Sequence, residues 1–103
     1  MPTDRPQSSW TFFTNHGHVL LCLAFDHDIT VRELSRKVGI TERAVLRIIG
    51  ELEAGGVVIR TREGRRNHYI INPDEPLRHP LENHCKVGDL IGMVVEGRED
   101  ISS

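Results

Sequence analysis

The beginning of the chain passes from a polar stretch to an almost wholly apolar one, and this change predicts a buried helix. Residues 1–9 are polar and include two prolines, so we expect a disordered tail there. An aromatic cluster follows at Trp10, Phe12 and Phe13. Over residues 15–25 apolar side chains occupy nearly every side of a helix, as they do in a helix that is covered all round.

Two short amphipathic helices are predicted next, with a three-residue turn between them. Thr30 and Glu33 have the spacing of a capping box, and Gly39 can adopt the left-handed conformation that ends a helix. The second helix is therefore expected over residues 31–38. The third begins after a threonine cap at Thr41 and ends before a pair of glycines. Its inward stripe is predicted to be Val45, Ile48, Ile49 and Leu52.

The next segment has the pattern of a β-hairpin. Two β-rich runs, residues 57–62 and 67–72, are joined by a glycine-bearing turn at residues 63–66. A third short strand near residues 28–30 is expected to join them. Together the elements predict an α+β fold with a three-helix core and a hairpin wing.

The C-terminal quarter has apolar positions at helical spacing. We therefore predict one further helix over residues 77–96 and a disordered tail over residues 97–103. The helix contains Gly88 and Gly92, which lower its intrinsic propensity, so it should depend on packing. The domain organisation expected is thus a winged helix-turn-helix domain over residues 10–76, followed by a helix that serves dimerisation.

Composition places the chain among ordinary globular proteins, with 38% hydrophobic and 27% charged residues. The net charge is −2, but it is unevenly distributed. Residues 30–66 hold nine basic and five acidic side chains, whereas the segments on either side are acidic. A local basic region is the electrostatic feature expected of a nucleic-acid-binding surface.

The basic residues fall where a helix-turn-helix would meet DNA. Arg43 and Arg47 are four residues apart and share the exposed face of the third helix, which a major groove about 12 Å wide can admit. The hairpin turn carries Arg65 and Arg66, whose side chains could follow the backbone or enter a narrow minor groove. The residues expected to bind double-stranded DNA are Thr30, Arg32, Thr41, Glu42, Arg43, Ala44, Arg47, Arg60, Arg62, Arg65, Arg66, Asn67 and His68.

The runs over residues 29–35, 38–41 and 48–58, together with the hairpin at residues 62–69, resemble bacterial and archaeal winged helix-turn-helix regulators of the MarR and ArsR type. The resemblance covers roughly residues 15–72. It implies DNA binding by the third helix and the wing, with base- and backbone-facing positions at Thr41, Arg43, Ala44 and Arg47. It also implies dimerisation through terminal helices.

A symmetric homodimer is expected, because two-fold assemblies are the commonest and match palindromic half-sites. The chain is shorter than most MarR proteins, which extend both ends into a helical dimer interface. The residues predicted to form the dimer interface are Phe12, Phe13, Leu81, Val87, Leu90, Ile91, Val94 and Val95.

Two other functions remain open from the sequence. A winged helix can hold another protein instead of DNA, in which case the arginine face has no reading role. A regulator can also respond to a small-molecule or metal effector, which predicts a cavity between the first and C-terminal helices with Trp10, Phe12 or Phe13 at its edge.

Catalytic, metal and membrane motifs are not evident. No phosphate loop, nucleophile elbow or His-Glu-x-x-His run occurs, so we expect a protein that is not an enzyme. The six histidines and two cysteines lack ligand spacing, including the Cys-x-Cys pair of metal-sensing ArsR regulators, so no metal or other cofactor is predicted. Cys22 and Cys85 are expected to be free. A polar N-terminus and short apolar runs predict a cytoplasmic protein.

Overall fold

The computed structural model describes residues 10–102, with side chains as far as Gly97. Helices and strands follow in the order predicted for a winged helix-turn-helix, which confirms the α+β fold. The tail predicted over residues 1–9 lies outside the described residues. The elements are α1 (Asn15–Phe25), α2 (Val31–Val38), α3 (Glu42–Ala54), β1 (Val58–Glu63), β2 (Arg66–Ile71) and α4 (Val87–Ser102).

Local capping fixes the bounds of α2. The Thr30 hydroxyl accepts a hydrogen bond from the Glu33 backbone N–H at 3.1 Å, and the Glu33 carboxylate accepts one from the Thr30 N–H at 3.1 Å. Gly39 ends the helix with φ +83°, a conformation that side chains with a Cβ disfavour. The predicted capping box and stop are both confirmed.

The core lies where α1, α2 and α3 meet the inner face of the hairpin. Leu23, Leu34 and Val45 are fully buried, and they contribute one side chain from each of the three helices. The hairpin adds Val58 and Tyr69, which are almost completely covered. The predicted inward stripe of α3 is confirmed, because Val45, Ile48, Ile49 and Leu52 are all buried.

The hairpin is a two-stranded antiparallel sheet with Glu63 opposite Arg66. Its turn is tighter than predicted and consists of Gly64 and Arg65. Gly64 has φ +63° at the first turn position, as a type II′ turn requires. The third strand expected near residues 28–30 does not form among the described residues. One backbone hydrogen bond, from the Tyr69 N–H to the His27 carbonyl at 3.2 Å, takes its place.

The C-terminal helix is shorter at its start than predicted. Residues 77–86 form turns rather than helix, because Pro80 lacks an N–H and disfavours helical backbone in the residue before it. The Leu77 N–H donates to the Cys85 carbonyl at 2.9 Å, which closes the segment into a loop. The Asp89 carboxylate accepts a hydrogen bond from the Lys86 N–H at 2.9 Å, and α4 begins at Val87.

The end of α4 also differs from the prediction. The helix continues to Ser102, so the backbone from Gly97 onward is helical rather than a disordered tail. A glycine ends a helix most effectively in the left-handed conformation. Among the described residues that conformation occurs at Gly39, Gly56 and Gly64, and Gly97 therefore does not interrupt α4.

Candidate nucleic-acid interface

The exposed face of α3 carries the two arginines that were predicted to read DNA. Both Arg43 and Arg47 are exposed. The Thr41 hydroxyl accepts from the Ala44 N–H at 3.0 Å and so holds the first turn of the helix. The Thr41 side chain therefore serves to cap α3. The N-terminal turn of α3, where the positive end of the helix dipole lies, also carries Arg43. Glu42 is exposed in the same turn.

Arg47 is held by a chain of polar contacts that sequence analysis did not anticipate. Its guanidinium lies 3.3 Å from one oxygen of Glu51, and the other oxygen lies 2.6 Å from Nε2 of His16 on α1. The hydrogen bond with His16, and then the charge of Arg47, hold the pKa of Glu51 below its usual value. The i,i+4 spacing of Arg47 and Glu51 was visible in the sequence, whereas the contact from α1 depends on tertiary packing.

Two predicted DNA-binding residues lie at the start of α2. The Thr30 hydroxyl is engaged in the capping box, whose hydrogen bonds lower the pKa of Glu33. Arg32 is exposed in the first turn. The structure thus leaves Arg32 available to a phosphate, while the Thr30 side chain has a structural partner.

The wing divides its arginines between tip and base. Arg65 and Arg66 are exposed at the turn, and Arg62 lies beside them, with its Nε donating to the Gly64 carbonyl at 3.3 Å. Arg60, nearer the base, is paired with Glu53 of α3 at 3.2 Å. Three arginines are therefore grouped at the tip, whereas the fourth links the wing to α3.

The other two wing residues predicted to bind DNA, Asn67 and His68, lie beside the loop between α1 and α2. Nδ1 of His68 lies 2.8 Å from the Asp28 carboxylate, and its ring centroid is 5.8 Å from that of His27. The hydrogen bond with His68 is the main reason why the pKa of Asp28 is lowered, with the nearby charge of Arg66 adding to it. Asn67 is half-buried. His68 therefore ties the wing to the body of the domain.

The predicted dimer residues are dispersed more than expected. Phe12 and Leu81 are 88% and 80% exposed, but Leu81 lies in the turn segment rather than on a helix. Val87 is buried in the core of its own chain, which corrects its assignment to a dimer surface, because helical spacing alone does not say which neighbour covers a side chain. The half-buried members are Phe13, Leu90, Ile91, Val94 and Val95.

A groove of about 610 Å³ separates α1 and the end of α3 from α4 and residues 76–78. Its lining includes Leu20 of α1 and Leu90 of α4, together with the exposed residues Glu51 and Arg78. Arg78 donates to the Gly55 carbonyl at 2.6 Å, and a Cβ at Gly55 would collide with its guanidinium. The groove lies where the effector-responsive alternative predicts a cavity, although the aromatic residues Trp10, Phe12 and Phe13 are not part of its lining.

The described residues contain neither a metal-ligand cluster nor a membrane-spanning helix. Residues 10–102 contain no cluster of three or more histidine, cysteine or acidic side chains that could hold a metal ion. Within the same range, none of the helices has both the length and the apolar character needed to cross a membrane. Cys22 and Cys85 are free, and burial raises the pKa of the Cys22 thiol.

Comparison with known families places this geometry in a class. Residues 14–59 match the winged helix-turn-helix DNA-binding family. The match includes α1, α2 and α3 and reaches the start of β1. The chain therefore has a winged helix fold, and over these residues its sequence is similar to winged helix-turn-helix DNA-binding domains.

Solved structures of similar fold include transcription regulators, one of which is described as a member of the MarR family. The multidrug efflux regulator MepR of Staphylococcus aureus has a TM-score of 0.55 and 14% identity, over 85% of this chain and 61% of that one. ZitR of Lactococcus lactis, solved in complex with DNA, has a TM-score of 0.52 and 18% identity, over 68% of this chain and 49% of that one. The predicted resemblance to MarR-type regulators is thus confirmed, and at these identities it is a likeness of fold.

A curated relative matches part of the chain more closely in sequence. The riboflavin kinase of Thermococcus kodakarensis is 34% identical in an alignment of 74 positions that covers 67% of this chain. The match spans 35% of the kinase, so the chain corresponds to about a third of that protein's length.

Proposed function

We propose that the protein is a sequence-specific regulator of transcription that binds double-stranded DNA as a homodimer. The observation that carries the proposal is the exposed face of α3, on which Arg43 and Arg47 stand one turn apart. The winged helix-turn-helix match over residues 14–59 supports it independently.

In this proposal α3 enters the major groove. Its apolar side packs on the core, so the opposite face is the one that can approach DNA. Arginine guanidinium groups can donate two hydrogen bonds to a guanine edge, or bind a phosphate. Glu51 holds Arg47 before DNA arrives, which reduces the number of rotamers that must be lost on binding.

The wing provides the second contact. Arg62, Arg65 and Arg66 are close together at its tip, where they can approach the phosphate backbone or a narrow minor groove. Arg60 forms an ion pair with Glu53 of α3, and its proposed role is to hold the wing against α3 rather than to bind DNA directly. A two-fold dimer would place two such units on half-sites about one helical turn apart.

Fluorescence anisotropy of a labelled duplex tests the proposal. The duplex carries the gene's own upstream region, and a scrambled duplex of equal length serves as the reference. We expect tight binding to the first, weakening steeply with salt because phosphate contacts release counterions. The variant Arg43→Ala/Arg47→Ala should abolish the preference. The control Arg36→Ala/Lys37→Ala on α2, which also removes two exposed positive charges, should retain it.

Each contrary result points to a different protein. Equal, weak binding to both duplexes would indicate a role without sequence recognition. No binding to either duplex at low salt would contradict the proposal and favour a winged helix that contacts another protein. Unchanged binding by Arg43→Ala/Arg47→Ala would show that α3 is not the reading helix.

A further inference from the structure

Leu46 is an apolar residue on the exposed side of α3, the helix that is proposed to read DNA. Its side chain is 52% exposed, whereas the apolar side chains of the inward stripe of α3 are buried. A single exposed leucine is common on protein surfaces and by itself says nothing about function. The significance of Leu46 comes from its position among the residues that are proposed to contact DNA.

Helix geometry places Leu46 next to Arg43. Residues three or four apart are neighbours on a helix surface, and Leu46 follows Arg43 by three residues and precedes Gly50 by four. A leucine side chain in a helix also points back towards the N-terminus, so Leu46 covers the surface beside the turn that carries Arg43. A major groove that receives Arg43 therefore receives Leu46 as well.

The surface around Leu46 leaves room for a DNA edge. A Cβ built on Gly50 would meet no atom within 4 Å, so the next turn of α3 is open. Glu53 lies two turns beyond Leu46 on nearly the same side of the helix, and it is paired with Arg60 of the wing at 3.2 Å. Leu46 is thus on the side of α3 that is turned towards the wing, within the span of the two proposed DNA contacts.

Thymine is the base that offers an apolar group in the major groove. The other groups that the bases present there are hydrogen-bond donors and acceptors, whereas thymine adds its C5-methyl group. An arginine guanidinium suits a guanine edge, and an apolar side chain suits the thymine methyl. A leucine beside an arginine on one helix face therefore matches a thymine beside a guanine.

We propose that Leu46 contacts the C5-methyl group of a thymine in the bound DNA, at a base pair adjacent to the one that Arg43 contacts. The two residues are separated by about 4.5 Å along the axis of α3. This separation is close to the distance of about 3.4 Å between successive base pairs. The inference rests on the proposed function, because it specifies part of the sequence that the DNA-binding surface recognises.

Replacement of single thymines by deoxyuridine tests the inference. Deoxyuridine pairs with adenine as thymine does and lacks only the C5-methyl group. The full-length chain is titrated by anisotropy with the labelled upstream duplex, in which each thymine is replaced in turn. We expect at least one replacement to weaken binding by the natural chain about three- to fivefold, which corresponds to the burial of about one methyl group.

Variants of Leu46 identify the side chain that detects the methyl group. Leu46→Ala should bind the thymine and deoxyuridine duplexes equally at that position. Leu46→Met keeps an apolar side chain of similar size and should retain the preference for thymine. Leu81→Ala, which truncates an exposed leucine in the turn segment outside α3, is the matched control and should discriminate as the natural chain does.

The possible results separate this inference from the proposed function. If the natural chain binds its duplex specifically through Arg43 and Arg47 but no deoxyuridine weakens binding, the proposed function stands and the inference is wrong. An equal deoxyuridine effect in Leu46→Ala would also overturn the inference, because the methyl group would then be sensed by another side chain or through DNA shape. Absence of specific binding by the natural chain would overturn both.

Discussion

The α2–α3 unit and the C-terminal segment are built in different ways. Both helices of the α2–α3 unit begin at a threonine whose hydroxyl accepts a backbone hydrogen bond, and each contributes fully buried side chains to the core. By contrast, α4 follows ten residues of turns, and of its apolar side chains only Val87 is buried among the described residues. The part proposed to read DNA is therefore fixed by its own local chemistry, whereas most apolar side chains of α4 stay partly exposed.

The largest expected contrast is in core packing. Leu34→Ala should lower the free energy of unfolding by about 2–5 kcal/mol, because it leaves a cavity at a fully buried position. Leu90→Ala removes the same atoms from a half-buried site on α4 and should cost about 1 kcal/mol. Urea denaturation of both variants measures the difference. Equal losses would mean that α4 is as firmly packed as α2.

A smaller effect is expected at the turn that joins α2 to α3. Gly39 has φ +83°, so Gly39→Ala should destabilise the chain by about 1–2 kcal/mol although the site has open space around it. Gly50→Ala, at an open helical position in α3, should stabilise it by about 0.5–1 kcal/mol. Thermal denaturation measures whether each variant is less or more stable than the natural chain. A stabilising Gly39→Ala would show that the turn is not held in the left-handed conformation.

The capping box should give the smallest effect. Thr30→Ala should cost about 1 kcal/mol, while Thr30→Ser, which keeps the hydroxyl, should cost less. Folding lowers the pKa of Glu33 from its ordinary value of 4.5. The ionised carboxylate therefore stabilises the fold above that pH, and this contribution disappears as the pH falls through the lower folded pKa.

The acid dependence of Glu33 can be measured by chemical denaturation between neutral pH and pH 3. Glu33→Gln should reduce the loss of stability on acidification relative to the natural chain. Glu82→Gln, in the exposed turn segment, is the matched control and should follow the natural chain. The capping box would lose its proposed part in acid sensitivity if both variants behaved alike.

Sequence predicted the elements that are specified by near neighbours. Thr30, Glu33 and Gly39 define α2 through contacts three or four residues apart, and the pattern in the sequence carries that information. The inward stripe of α3 was predictable for the same reason. Local signals also gave the hairpin, although its turn is one residue tighter at each end than expected.

Contacts between distant residues were not predictable. The pairs His16–Glu51, Arg60–Glu53 and His68–Asp28 join different elements, and single-sequence patterns do not encode which of many polar residues meet. The same limitation explains Val87, whose spacing fitted an interface but whose neighbours are in its own core. At residues 77–86, apolar periodicity was overridden by Pro80 and by backbone pairing with the preceding segment.

The wing is fastened at its base and free at its tip. The Tyr69 N–H donates to the His27 carbonyl, His68 is paired with Asp28, and Arg60 is paired with Glu53. At the tip, by contrast, a Cβ added to Gly64 would meet no atom within 4 Å. A hairpin that is held only at its base is expected to move most at its tip. Under the proposed function, a tip with few contacts would let its arginines adjust to grooves of different width, while the fixed base would keep the wing in place against α3.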